Sequence, residues 1–189
     1  VQDSGQFRPV IGSPSFPAHP FDPAAPAMSA NVPMIVGSNR TEASVFLGGN
    51  PSIVNLDEAS LQQRVQALVP AGEGPSTIDM YRRLYPQAKR DEILYMASTD
   101  RGYFLGTTIL AGRKADQNAA PVWVYQFYRA TPLEGGRYHT PHASEIPFVF
   151  DTLSRATSIG GEPTANAQNL ADRMSAAWAN FARNGDPNA

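Results

Sequence analysis

Val32-Pro33-Met34-Ile35-Val36-Gly37-Ser38-Asn39-Arg40-Thr41-Glu42 decides how this chain is read. Its first six residues form a short, continuous apolar run that stops at glycine, the pattern of a strand buried on both faces. A second run, Pro121-Val122-Trp123-Val124-Tyr125-Gln126-Phe127-Tyr128, is rich in β-branched and aromatic residues and suits a central strand equally well. Between the two runs the periodicity turns helical. Leu56, Leu61, Val65 and Leu68 fit a helix within Asn55–Leu68, with Asp57 placed to cap it and Pro70 to stop it. Ser76–Tyr85 reads as a second helix, with Ile78, Tyr81 and Tyr85 on one side. Asp91–Asn118 reads as mostly helical, with Ile93, Met96, Tyr103, Phe104, Ile109 and Leu110 available for burial. Gly102 and Gly106 disfavour helix there, so a break or a close helix contact is expected.

Strands alternating with helices indicate α/β. Two strands, however, do not make an independent sheet with both faces covered, so the fold is expected to be completed elsewhere. The flanks agree. Of 17 prolines, Pro9, Pro14, Pro17, Pro20, Pro23, Pro26 and Pro33 fall early, which predicts extended coil crossing a surface. Phe7, Val10, Ile11, Phe16 and Phe21 make this stretch too apolar for a free linker. At the other end, Leu170, Met174, Trp178 and Phe181 form one stripe of an amphipathic helix, stopped at Asn184-Gly185-Asp186-Pro187.

Composition narrows the chemistry. The 189 residues are enough for one domain with a core; 42% are hydrophobic and 17% charged, as in a globular chain rather than a disordered one. A net charge of −2 lacks the basic footprint of a nucleic-acid binder, and no apolar run is long enough to span a membrane. Without cysteine there is no disulfide, thiolate metal site or cysteine nucleophile. The opening Val1-Gln2-Asp3-Ser4-Gly5 has neither an initiator methionine nor a signal-peptide pattern, so the chain is expected to be cut from something longer. Any localisation signal would lie on that other part.

Glu42 follows the first strand, where open α/β sheets gather catalytic groups; the competing reading is a surface carboxylate at a helix start. His142 follows the second strand. As a base it needs a carboxylate on one ring nitrogen, which Glu42 supplies if the strands are neighbours; otherwise it is a loop histidine without a role. A third reading groups His139, His142 and Glu145 as metal ligands, but Pro141 interrupts the helix that would align them. No Gly-x-Ser-x-Gly elbow and no His-Gly-Gly-Gly-type oxyanion loop occurs, so the residues alone leave the reaction open.

Four stretches resemble one family in register. Val32 to Phe46 is similar to the type-B carboxylesterase (cholinesterase-like) segment whose Gly-x-Asn-x-x-Glu pattern ends on the triad carboxylate. His142-Ala143-Ser144-Glu145-Ile146-Pro147-Phe148-Val149-Phe150 resembles the segment headed by the triad histidine. Ala177 to Asn188 resembles the closing helix, and Phe7-Arg8-Pro9-Val10-Ile11-Gly12 the approach to the acid strand, with Ile11 where the family usually has Asp. The resemblance implies the C-terminal part of an α/β-hydrolase sheet, residues 1–189, with a helical region over the active site. It implies Glu42 and His142 as triad acid and base, Glu145 as a supporting buried glutamate, and His139 as a bystander. The family order Ser…Glu…His would place the nucleophile and oxyanion loop before residue 1. The implied activity is hydrolysis of carboxylic esters through an acyl-serine, with no metal or cofactor, in partnership with the N-terminal portion. A catalytically inactive cholinesterase-like interaction module is the alternative.

Overall fold

A computed structural model describes residues 11–188; the Phe7–Val10 part of the family-like approach, including Pro9, lies outside the described residues. Strand β1, Met34–Asn39, and strand β2, Val122–Phe127, pair in parallel, with Met34 opposite Val122 and Asn39 opposite Phe127. Gly37 faces Tyr125 across this ladder, and a Cβ at 37 would collide with the tyrosine ring. The glycine that ends the apolar run is there for close approach.

Among the described residues the strands are not buried on both faces. Trp123, Tyr125 and Phe127 alternate onto one face, where Trp123 Nε1 donates to the Gly185 carbonyl (3.2 Å) and Tyr125 and Phe127 meet the rings of Trp178 and Phe148. Val124, on the other face, is 56% exposed. Within the strands only the C-terminal ends (Ser38, Asn39, Phe127) are buried.

The crossover from β1 to β2 is helical: α1 Ser44–Leu47, α2 Pro51–Val54, α3 Glu58–Gln66, α4 Gly74–Leu84, α5 Arg90–Thr99 and α6 Leu105–Ala115. Asp57 caps α3, its carboxylate accepting the Ser60 N–H at 2.8 Å. Leu61, Val65, Ile78, Tyr81, Ile93, Leu94 and Met96 close a core between α3, α4 and α5. A buried aliphatic side chain contributes roughly 1.5–3 kcal/mol. The larger of the two buried clusters thus lies in the helical crossover rather than against the two-stranded ladder.

The expected break in the third helical segment is a π-turn, Asp100–Phe104, where the Leu105 N–H reaches the Asp100 carbonyl five residues back. Nothing crowds Gly102 or Gly106, so the alternative of a close helix contact there is not what the glycines serve. Beyond the turn the expected burial fails: Ile109 is exposed and Tyr103, Phe104 and Leu110 are only half-buried. The residue of α6 that is fully buried is instead a lysine. Lys114 Nζ donates to the carbonyls of Ser29 (2.6 Å) and Ala30 (2.9 Å) and to Gln117 Oε1 (2.9 Å). Gln117 donates to Pro26 O (2.8 Å), and Arg113 pairs with Asp22 (2.7 Å). The proline-rich coil is thus held to the end of α6 by polar contacts, while most of its apolar side chains stay at least partly exposed.

After β2 come α7 Ile146–Val149, α8 Thr157–Gly160 and α9 Ala165–Asn184. Thr164 caps α9, and Gly185 ends it at φ 73°, a left-handed conformation that favours glycine. The stripe of Leu170, Met174, Trp178 and Phe181 is half-buried; Ala167 and Ala171 are the fully buried residues of this helix. They join Phe127, Phe148 and Leu153 in a second core.

Candidate active site

Parallel pairing brings the carboxyl ends of β1 and β2 side by side, and the loops that leave them carry Glu42 and His142. The Arg40 N–H still bonds the Phe127 carbonyl (3.0 Å), extending the ladder by one step. The two loops are then stitched directly. Thr140 N–H donates to Thr41 Oγ1 (2.7 Å), Thr41 N–H donates to Thr140 O (3.2 Å), and Ser44 Oγ donates to Tyr138 O (2.6 Å). Thr41, Ser44 and Thr140 are fully buried. At this depth each lost bond would strand a partner, so the loops hold one relative position.

Across that seam, Glu42 Oε2 lies 2.7 Å from His142 Nδ1. The other oxygen, Oε1, accepts the Asn39 N–H, also at 2.7 Å. Glu42 is 5% exposed, whereas the His142 side chain is 51% exposed. A carboxylate can only accept here, so Nδ1 carries the proton of this bond and the lone pair of the neutral ring is left on Nε2. The rings of Phe46 and Tyr103 flank the imidazole, with centroids at 5.6 and 5.9 Å. Ala143, immediately after His142, sits at φ 67°, and His139 at φ 51°. Left-handed backbone at non-glycine residues is strained, and such strain gathers where a side chain must be aimed.

Glu145 enters through Asn39. The Asn39 amide donates to Glu145 Oε2 (2.6 Å) and to the Pro141 carbonyl (2.8 Å), so one buried side chain ties the acid strand to the histidine loop. Glu145 is half-buried rather than fully enclosed. Burial first, then the charges of Glu145 and Glu42, push the Tyr125 hydroxyl up to about 12, so it stays protonated at neutral pH. Two further polar atoms here, Ser38 Oγ and Asn39 Oδ1, are buried with no hydrogen-bond partner among the described residues.

The three side chains weighed as metal ligands turn to three different partners: His142 to Glu42, Glu145 to Asn39, and His139 toward Glu92 (3.7 Å). His139 belongs to a separate cluster in which Arg40 pairs with Glu92 (3.1 Å) and stacks on Tyr85 (4.5 Å to the ring centre). Among the described residues no group of acidic or histidine side chains is arranged to hold a metal ion. Asn39, Thr41, Thr140 and Tyr103 are the site residues that sequence reasoning missed. Asn39 and Thr41 lie inside the quoted strand motif, so the signal was present; Tyr103 was read only as a residue for burial.

Comparison with known proteins identifies the family and the fold. Residues 2–189 match the carboxylesterase family. The chain is 25% identical over 182 residues to the para-nitrobenzyl esterase of Bacillus subtilis (strain 168), covering 96% of this chain and 35% of that protein. It is 26% identical over 197 residues to the phenmedipham hydrolase of Pseudarthrobacter oxydans, covering 96% and 36%. Among solved structures it resembles a PNB esterase with a TM-score of 0.55 at 24% identity, covering 82% of this chain and 30% of that one. An esterase from Clostridium hathewayi gives 0.57 at 21% identity, covering 84% and 30%. The chain spans about a third of the length of the curated relatives it matches. Its parallel ladder and helical crossover are part of an α/β-hydrolase fold, and the chain belongs to the carboxylesterase family.

Proposed function

We propose that this chain supplies the acid and the base of a serine esterase. His142 Nε2 takes the proton from a serine hydroxyl as that oxygen attacks an ester carbonyl, then returns it to the departing alcohol. A water, deprotonated by the same nitrogen, releases the acid from the acyl-serine. Glu42 holds the ring in the required tautomer and stabilises the imidazolium formed in each half-reaction. Asn39 and Glu145 keep the two loops in register around that pair. The observation that carries this reading is the 2.7 Å contact between buried Glu42 and Nδ1 of His142, whose side chain is half-exposed.

The serine is proposed to come from polypeptide outside these 189 residues, the N-terminal portion of the same esterase domain. The missing Gly-x-Ser-x-Gly elbow supports this, as does the partial span of the relatives. The unpartnered Ser38 Oγ and Asn39 Oδ1 fit a site that takes further groups. The substrate class is a carboxylic ester, and the proposed chemistry requires no metal or cofactor.

The test is hydrolysis of p-nitrophenyl esters. The 189-residue chain alone is expected to stay at background, and the complete esterase carrying it to turn over. There, His142→Ala should lower kcat by several orders of magnitude and Glu42→Gln by a smaller factor, with His139→Ala far milder. Full turnover in the His142→Ala enzyme would overturn the assignment and return the inactive interaction module to consideration.

A further inference from the structure

The His142 ring is held by its bond to Cβ and by one hydrogen bond, from Nδ1 to Glu42 Oε2. A hydrogen bond tolerates some misalignment, so small coupled changes in χ1 and χ2 still tilt the ring, and with the side chain 51% exposed few neighbours oppose them. The direction of Nε2 follows that tilt, and proton transfer needs it aimed. The aromatic side chains against the ring, Phe46 and Tyr103, limit the tilt.

Those two neighbours differ in stiffness. Phe46 is 64% exposed and belongs to the four-residue α1. Tyr103 sits in the π-turn between α5 and α6, which is tethered where it begins, through the neighbouring residues Thr99 and Asp100. Thr99, fully buried, accepts the Ala43 N–H at 3.1 Å, tying the helix to the residue after the catalytic acid. Asp100 accepts a hydrogen bond from the hydroxyl of Tyr81, a residue of the helical core. Tyr103 then leans on His142 at a 43° tilt. One helix segment thus touches the acid loop through Thr99 and the base through Tyr103. A π-turn costs helical regularity and recurs where a side chain has to be placed.

We infer that Tyr103 is a positioning residue for His142, its ring held by the π-turn so as to fix the plane of the imidazole. The inference rests on the Glu42–His142 reading and goes one step beyond it: the helical crossover aims the base as well as covering it. The ring is what acts; the hydroxyl is not required.

The experiment compares Tyr103→Phe, Tyr103→Leu and Tyr103→Met in the complete esterase, with His142→Ala in parallel. Tyr103→Phe should keep kcat and KM within about twofold of the parent, whereas Leu and Met should lower kcat by about tenfold or more with KM changed less than about threefold. Thermal melts identify folded variants, and Met provides a second non-aromatic side chain, unbranched and of similar bulk, should Leu fail to fold. A loss confined to KM would make Tyr103 a substrate contact and overturn the inference. So would parental kcat in a folded Leu or Met variant, or a Phe variant as impaired as these. If neither Leu nor Met folds, the role is structural and the inference fails as well. If His142→Ala stays active, the acid–base reading itself has failed; if it is inactive while Leu is fully active, only the positioning role has.

Discussion

Thr41 and Thr140 hold each other: the hydroxyl of one receives the N–H of the other at 2.7 Å, and the return bond runs from the Thr41 N–H to the Thr140 carbonyl at 3.2 Å. Each stands close in sequence to one member of the Glu42–His142 pair, so this exchange holds the spacing between those two side chains. Thr41→Val keeps the shape and deletes the oxygen, leaving the buried Thr140 N–H unpaired. The expected cost is about 1–3 kcal/mol of stability together with a fall in kcat. Thr41→Ser should retain most of both. Denaturant melts and p-nitrophenyl ester kinetics on the same preparations check this.

The buried lysine at the end of α6 invites a second variant. Lys114→Met fills similar volume but strands the carbonyls of Ser29 and Ala30. Stability should drop by about 1–3 kcal/mol. The coil before β1 should also become sensitive to protease, with new cuts within residues 20–33. Limited proteolysis read by mass spectrometry decides; an unchanged cleavage map would mean that Gln117 and Arg113 suffice to hold the coil.

Asp100 gives a pH dependence with a definite sign. Burial raises its carboxyl above the ordinary value of 3.8, outweighing the lowering effect of the Tyr81 hydroxyl. The folded state therefore favours the protonated acid. That contribution is complete below the unfolded value and is lost as pH rises through the raised folded one. Asp100→Asn removes the titrating group while keeping an acceptor for Tyr81. Its melting temperature relative to the parent should improve as pH is raised from the acid range toward neutrality, measured by calorimetry at matched ionic strength. A difference that is flat with pH, or of opposite sign, would contradict this.

The chain taken alone should associate. Val32, Val124 and Phe150 are 58%, 56% and 70% exposed, and among the described residues each strand has one neighbour and one open edge. Size-exclusion chromatography with light scattering is expected to show self-association, or copurification with the complementary part of the esterase. A sharp, cooperatively melting monomer of 20.4 kDa would count against it.

Some of this was legible in the residues. The apolar run closing at Gly37 and the aromatic run through Phe127 marked both strands, because a pleated ladder imposes a composition that neighbours along the chain reveal. The Glu42 and His142 motifs came from family resemblance, and the structure brings the two side chains together. Lys114 went unnoticed: a lysine near a helix end ordinarily reaches water, and its burial depends on three acceptors, two of them from a coil over 80 residues away. Ala171, not Trp178, is the buried centre of α9, sharing the second core with Phe148 of α7. The aim of Tyr103 follows from a π-turn, whose position no periodicity gives away.

The parallel pairing of β1 with β2 also has a consequence in time. A parallel ladder cannot be closed by a tight turn, and 100 residues separate Glu42 from His142. The intervening helices share a core within the crossover and can form first, whereas Glu42 and His142 meet only when the whole crossover has folded back. The site is therefore among the last parts of the molecule to come into being. During refolding of the complete esterase, ester turnover should trail the recovery of helical signal, and a molecule arrested on the way would be well structured and inert.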